Sequence, residues 1–207
     1  MLKKTGILFM GIGAALLIAA LSLLLYNRAE NDNAGDMAEI ILPAVIDAIE
    51  HPADTIPEDS ATEPDGVNEY DTDADMTVVY IDGYGYIGYI SIPVLELDLP
   101  VMTDWDYTKL KTAPCRYFGS AKTDDLVICG HNYDRHFGRL KNLQEGDLVL
   151  FTDMDGVTIS YEVKEVETLQ PTQITEMIES DYDLTLYTCT YGGATRVTVR
   201  CDRTETD

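Results

Sequence analysis

The chain opens with 21 consecutive uncharged, mostly apolar positions, residues 6–26 (GILFMGIGAALLIAALSLLLY). As a helix rising about 1.5 Å per residue, such a run spans roughly 30 Å, the thickness of a bilayer's hydrocarbon layer. Lys3 and Lys4 precede it and acidic residues dominate beyond Arg28. The positive-inside bias therefore predicts a single-pass anchor at 6–26, a cytoplasmic tail at 1–5, and everything later outside the cell membrane. A cleaved signal peptide is the competing reading. Its apolar core is usually about 7–15 residues long, and no clear small-x-small cleavage site follows this run.

Beyond the anchor the apolar pattern changes twice. Ile40, Ile41, Val45, Ile46 and Ile49 form an approximate helical stripe, which predicts a short helix at 37–51, either beside the membrane or packed on the folded domain. Residues 52–75 mix prolines, acids and small residues, with too little apolar surface to offset chain entropy. Residues 27–77 as a whole read as an acidic linker. From about residue 78 short runs predict strands at 86–92, 95–101, 126–130, 147–152, 157–167, 184–189 and 195–201, with one more at 115–118. Asp155-Gly156 between two of them is a hairpin signal. Short helical pieces fit 106–111, 137–143 and 173–179. Eight short strands within about 130 residues predict a mainly β domain at 78–204, an eight-stranded closed or nearly closed barrel.

Charge changes the picture mainly by exclusion. The net charge is −23. Acids crowd residues 27–77, where Arg28 is the only base, and outnumber bases in the barrel region as well. Nucleic acid and anionic lipid surfaces are thereby disfavoured as main partners. The acidic run reads as a solvated spacer.

The candidate chemistry rests on few residues. There are 4 cysteines: Cys115, Cys129, Cys189 and Cys201. An even count outside the membrane invites disulfides, yet a barrel of this size does not need them. Cys129 and Cys201 share the pattern of small buried hydrophobes, and Cys115 is ambiguous. Cys189 stands at a strand end between Thr188 and Thr190, where a side chain reaches the surface. A cysteine nucleophile needs a base and a donor for the oxyanion. With His51 beside the linker, the domain offers His131, which closes the run LVICGH, and His136, which is expected to face solvent beside Arg135 and Phe137. Arg196 and Arg200 share one face of the last strand, Arg196 being nearer the turn after Cys189. Cys129, His131 and His136 also have spacing for three zinc ligands, but no fourth ligand matches, so no metal and no cofactor is expected.

Four motifs together resemble the sortases, cysteine transpeptidases of mostly Gram-positive bacteria. TLYTC (residues 185–189) resembles the family's T-L-x-T-C signature, and GHN (130–132) its histidine motif. YIGYISIPVLELDLPV (86–101) resembles its first two barrel strands, and TRVTVRC (195–201) its last, with the motif arginine on Arg196. The order of His, Cys and Arg and the N-terminal anchor match as well, and the resemblance covers about residues 80–204. It implies that Cys189 attacks the threonine carbonyl of an LPxTG-like C-terminal sorting signal. His131 would protonate the leaving amine, and Arg196 would hold the oxyanion or the substrate backbone. Thr188 and Asn132 would support them. The acyl group would pass to an amine acceptor, such as a peptidoglycan precursor or a pilin lysine. The connection between Glu167 and Leu184 is too short for the long helix of class B sortases, and no pilin-type lid precedes the barrel. A class D-like or otherwise unassigned sortase is the expected subclass.

Two other functions share these residues. An anchored cysteine peptidase would hydrolyse the same acyl-enzyme with water. A non-catalytic surface barrel would leave Cys189 an ordinary thiol.

Overall fold

Alternation of apolar and polar positions becomes sheet from Val79 onward. In the computed structural model, which describes residues 2–52 and 76–204, the strands are β1 (Val79–Ile81), β2 (Tyr84–Ile92), β3 (Leu97–Met102), β4 (Cys115–Phe118), β5 (Leu126–Gly130), β6 (Leu148–Asp153), β7 (Thr158–Leu169), β8 (Leu184–Cys189) and β9 (Arg196–Arg203). They are preceded by α1 (Leu2–Glu50) and interrupted by α2 (Ile174–Ile178). The order across the sheet is β1-β2-β3-β4-β5-β8-β9-β7-β6, and β6 pairs back onto β2. That last pairing closes β2 to β9 into an eight-stranded barrel, with β1 as an extra strand on its outside. The eight expected strands are all present. The ninth, β1, is a three-residue partner of β2 across Asp82 and Gly83, both of which take left-handed backbone angles.

Closure depends on a glycine. Gly88 has φ +142° and stands opposite Asp153 where β2 and β6 join. A Cβ there would lie 2.0 Å from the Thr152 carbonyl oxygen, so only a bare backbone fits the seam.

Inside the barrel, Ile90, Leu99, Leu126, Ile128, Phe151, Tyr161, Leu184, Leu186 and Val199 form the core. The alternate residues point outward, as strand periodicity requires. A second layer lies on the outside, where Tyr86, Met102, Cys115 and Cys129 pack with Val45 and Ala48 of α1.

The described chain divides into two compact units, residues 1–33 and 34–207. The first is helical, and its apolar side chains, among them Leu16, Leu17, Leu21 and Leu24, are exposed. By length and composition this helix is apolar enough to cross a membrane. In the second unit, the remainder of α1 packs on the barrel through Ala34, Ala38, Val45 and Ala48, all buried. The expected short helix at 37–51 is thus the end of a longer element, and residues 27–36, expected in the linker, are helical too. Their Asn, Asp and Gly residues read as loop because the barrel that buries Ala34 and Ala38 is distant in sequence. The linker expected through 53–75 lies outside the described residues.

Candidate active site

Two strands run parallel at the centre of the site. β5 and β8 pair in register from Leu126–Leu184 to Gly130–Thr188. Their C-terminal ends therefore emerge side by side, and the next residues are His131 and Cys189. The Thr188 hydroxyl donates to the Gly130 carbonyl over 2.9 Å, a buried bond that fixes the two ends together. On the other side of β8, antiparallel β9 sets Arg196 directly opposite Cys189. Parallel pairing and the next strand thus gather the three expected residues at one end of the barrel.

The turn between β8 and β9 is built for tightness. Gly192 and Gly193 both have positive φ, 78° and 74°, which other residues adopt at a cost. Thr190 and Thr195 close its base. Thr190 donates its N–H to the Thr195 carbonyl over 3.0 Å, and Thr195 donates its own N–H to the Thr190 hydroxyl over 3.0 Å. The Arg196 guanidinium donates to the carbonyls of Gly193 and Thr195, each at 3.0 Å, which holds it at this turn.

Cys189 and Arg196 border a cavity of about 280 Å³ walled by Trp105, Tyr107, Leu110, Tyr117, Ile174, Met177 and Tyr187. Tyr117 and Tyr187 meet edge to face at 5.3 Å, and Trp105 stands 5.9 Å from Tyr117. These rings make the cavity lining mainly apolar. Its aromatic wall was not legible in the sequence, because Trp105 and Tyr107 come from the β3–β4 connection.

The four cysteines differ as their positions require. Cys115, Cys129 and Cys201 are buried and Cys189 is partly exposed, all as free thiols. Burial pushes the thiols of Cys115 and Cys129 up to about 12 and that of Cys201 higher still. These three are kept as neutral thiols at any working pH.

His131 follows β5 and stacks on Tyr133, with centroids 3.8 Å apart and planes 10° apart. Tyr107 stands 6.5 Å from the same ring. Asn132 follows in the loop, where its carbonyl is so close to Gly138 that a Cβ there would come within 2.6 Å.

His136 corrects the reading of a solvent-facing loop residue: it is fully buried. Its Nε2–H donates to the Ala34 carbonyl of α1 over 3.2 Å. Burial lowers its pKa to about 4, with Arg135 and His131 adding smaller repulsion. Its Nδ1 is buried without a hydrogen-bond partner, so a second ring proton would have no acceptor. Exposure was expected from Arg135 alongside, but Arg135 turns to α1, where it pairs with Asp36 at 2.6 Å and with Glu39. Among the described residues no three His, Cys, Asp or Glu side chains are grouped to hold a metal, and the Cys129, His131, His136 set does not assemble.

The second arginine of β9 has a different task. Arg200 is buried and donates to Glu167 at 2.8 Å, to the Thr185 hydroxyl at 2.9 Å and to the carbonyls of Glu176 and Met177. It fastens α2 to β7, β8 and β9.

The fold is a closed barrel with a thiol at the end of β8, an arginine opposite it on β9 and a histidine just past the end of the adjoining β5. The sortase domain family matches residues 90–204, more than half of the chain, and the chain belongs to that family. It is therefore a cysteine transpeptidase. Sortase C1 of Streptococcus agalactiae is similar at 30% identity and TM-score 0.53, over 62% of this chain and 72% of that one. Sortase A of Corynebacterium diphtheriae, a lid mutant, is similar at 27% identity and TM-score 0.51, over 58% and 71%. Sortase C of Clostridium perfringens SM101 shares the fold over 86% of this chain and 91% of its own, with TM-score 0.51 at 24% identity. No curated protein sequence matches the chain. The solved structures carry class A and class C names, and the class D-like expectation stands on the sequence alone.

Proposed function

We propose that Cys189 is the nucleophile, His131 the general acid and Arg196 the oxyanion donor of a sorting reaction on LPxTG-like signals. The Cys189 thiolate attacks the threonine carbonyl, and the developing oxyanion is met by the Arg196 guanidinium. Collapse breaks the C–N bond as His131 gives a proton to the leaving amine, which leaves a thioester on Cys189. An acceptor amine, on a peptidoglycan precursor or another protein, attacks the thioester and restores the thiol. Thr188 holds the end of β8 in place, and Asn132 shapes the histidine loop. The apolar cavity suits the leucine and proline of such a signal. Residues 6–26 anchor the enzyme, with the N-terminus in the cytoplasm and the barrel outside, and the acidic segment after α1 serves as spacer.

The observation that supports this reading most is the convergence of β5, β8 and β9 on one end of the barrel beside that cavity. The test is incubation with a library of LPxTG-like peptides, with the thioacyl adduct located by mass. An adduct on Cys189 that an added amine resolves to a new amide is the expected result. Release by water alone, unchanged by amines, would make the protein a peptidase. No adduct with any peptide would leave a binding barrel.

A further inference from the structure

The histidine loop and α1 make one continuous set of contacts that the reaction described above does not use. Tyr133 lies flat on the His131 ring at 3.8 Å, and its own ring meets the edge of His136 at 5.8 Å and 63°. His136 is bonded to the carbonyl of Ala34, and Arg135 between them is tied to Asp36 and Glu39. Gly35 allows this approach, since a Cβ there would lie 2.1 Å from the Arg135 Nε. The loop backbone is folded on itself by the Phe137 N–H to the His131 carbonyl at 3.1 Å and the Gly138 N–H to the Tyr133 carbonyl at 2.9 Å.

Taking His131 as the general acid of the proposed function, we propose that Tyr133 is a positioning residue for it. The barrel-packed part of α1, from Ala34 onward, holds Tyr133 through His136. A stacked ring restricts rotation of the imidazole about its Cβ–Cγ bond, and so aims one nitrogen at a fixed place. His136 suits the role of backing because burial keeps it neutral, so it brings no fixed charge close to a ring that must gain and lose a proton. The helix that leads from the anchor is in this way part of the catalytic unit. It is more than a tether.

The test uses the full chain in detergent micelles. Nuclear Overhauser contacts between the ring protons of His131 and Tyr133 are expected in the wild type. Tyr133→Leu should move the His131 ring-proton resonances downfield, as ring-current shielding is lost, and lower kcat about 3- to 10-fold with KM unchanged. Tyr133→Phe keeps the ring and should restore both. His136→Leu should shift the same resonances in the same direction by less. The inference is overturned if the contacts are missing in the wild type, which needs no variant to fold. It is equally overturned if Tyr133→Leu folds and leaves resonances and kcat unchanged, or if Tyr133→Phe behaves like Tyr133→Leu. Intact contacts in a wild type that forms no acyl-enzyme with any sorting peptide would overturn the proposed function instead, and with it the catalytic meaning of the stack.

Discussion

The hydroxyl of Thr188 and the carbonyl of Gly130 are joined by a buried hydrogen bond of 2.9 Å, which links the residue before Cys189 to the residue before His131. The spacing of the proposed nucleophile and acid thus depends on this side chain as well as on the β5–β8 backbone pairing. Thr188→Val keeps the shape and removes the donor. The expected outcome is a loss of about 1 kcal/mol in stability and roughly a tenfold fall in kcat, measured by urea unfolding and single-turnover acylation.

Cys189→Ala should abolish acyl-enzyme formation while thermal unfolding stays near that of the wild type, since the side chain is partly exposed at the cavity edge. Cys201→Ala, in the barrel core, should do the reverse: turnover persists, and stability falls by about 1–2 kcal/mol. Substantial turnover by a folded Cys189→Ala protein would refute the mechanism.

Arg196 and Arg200 of β9 should separate cleanly. Arg196→Ala is expected to lower kcat/KM about 10²- to 10³-fold with little change in stability. Arg200→Ala removes a buried partner of Glu167 and frees four acceptors, so the expected effect is destabilisation of about 3 kcal/mol with α2 loosened. Parallel unfolding and kinetic measurements on both variants decide the assignment.

His136 gives a stability change with a definite sign. Its folded pKa is lowered to about 4, below the ordinary histidine value of about 6.5. The unfolded chain therefore binds more protons between these values, and stability rises with pH across that window. The contribution is fully present above about pH 6.5, is lost as pH falls toward 4, and amounts to about 3 kcal/mol. Wild-type unfolding followed from pH 7 to pH 4 should show this slope, and His136→Leu should flatten it.

His131→Ala should remove most of the acyl-enzyme formation, measured by single-turnover acylation, because the leaving amine loses its proposed proton donor. Acylation that survives His131→Ala at the wild-type rate would take the acid role away from that residue.

The barrel strands were legible because each is a short apolar or alternating run with turn residues beside it, and every one of the eight falls within about three residues of its expected place. β1 was not, since three residues make no period, although Asp82-Gly83 between two tyrosine-rich runs carried the hairpin signal that finds it. In the candidate site, Cys189, His131 and Arg196 came forward as residues at or beside strand ends, which the sheet register brings to one end of the barrel. Tyr133 and the burial of His136 did not. Their surroundings are set by Ala34, 102 residues before His136, and no local pattern records such a contact.

The parallel pairing of β5 with β8 also sets when the chemistry first exists. The Thr188–Gly130 bond spans 58 residues of chain, with the β6–β7 hairpin and α2 between. Contacts of that separation form only as the whole sheet assembles, because loop closure must precede any gain from them. A newly made chain therefore carries Cys189 without His131 beside it. If Cys189 and His131 act as proposed, the working pair is a property of the finished barrel, and a partly folded copy has no acid in place to complete acylation on whatever peptide it meets first.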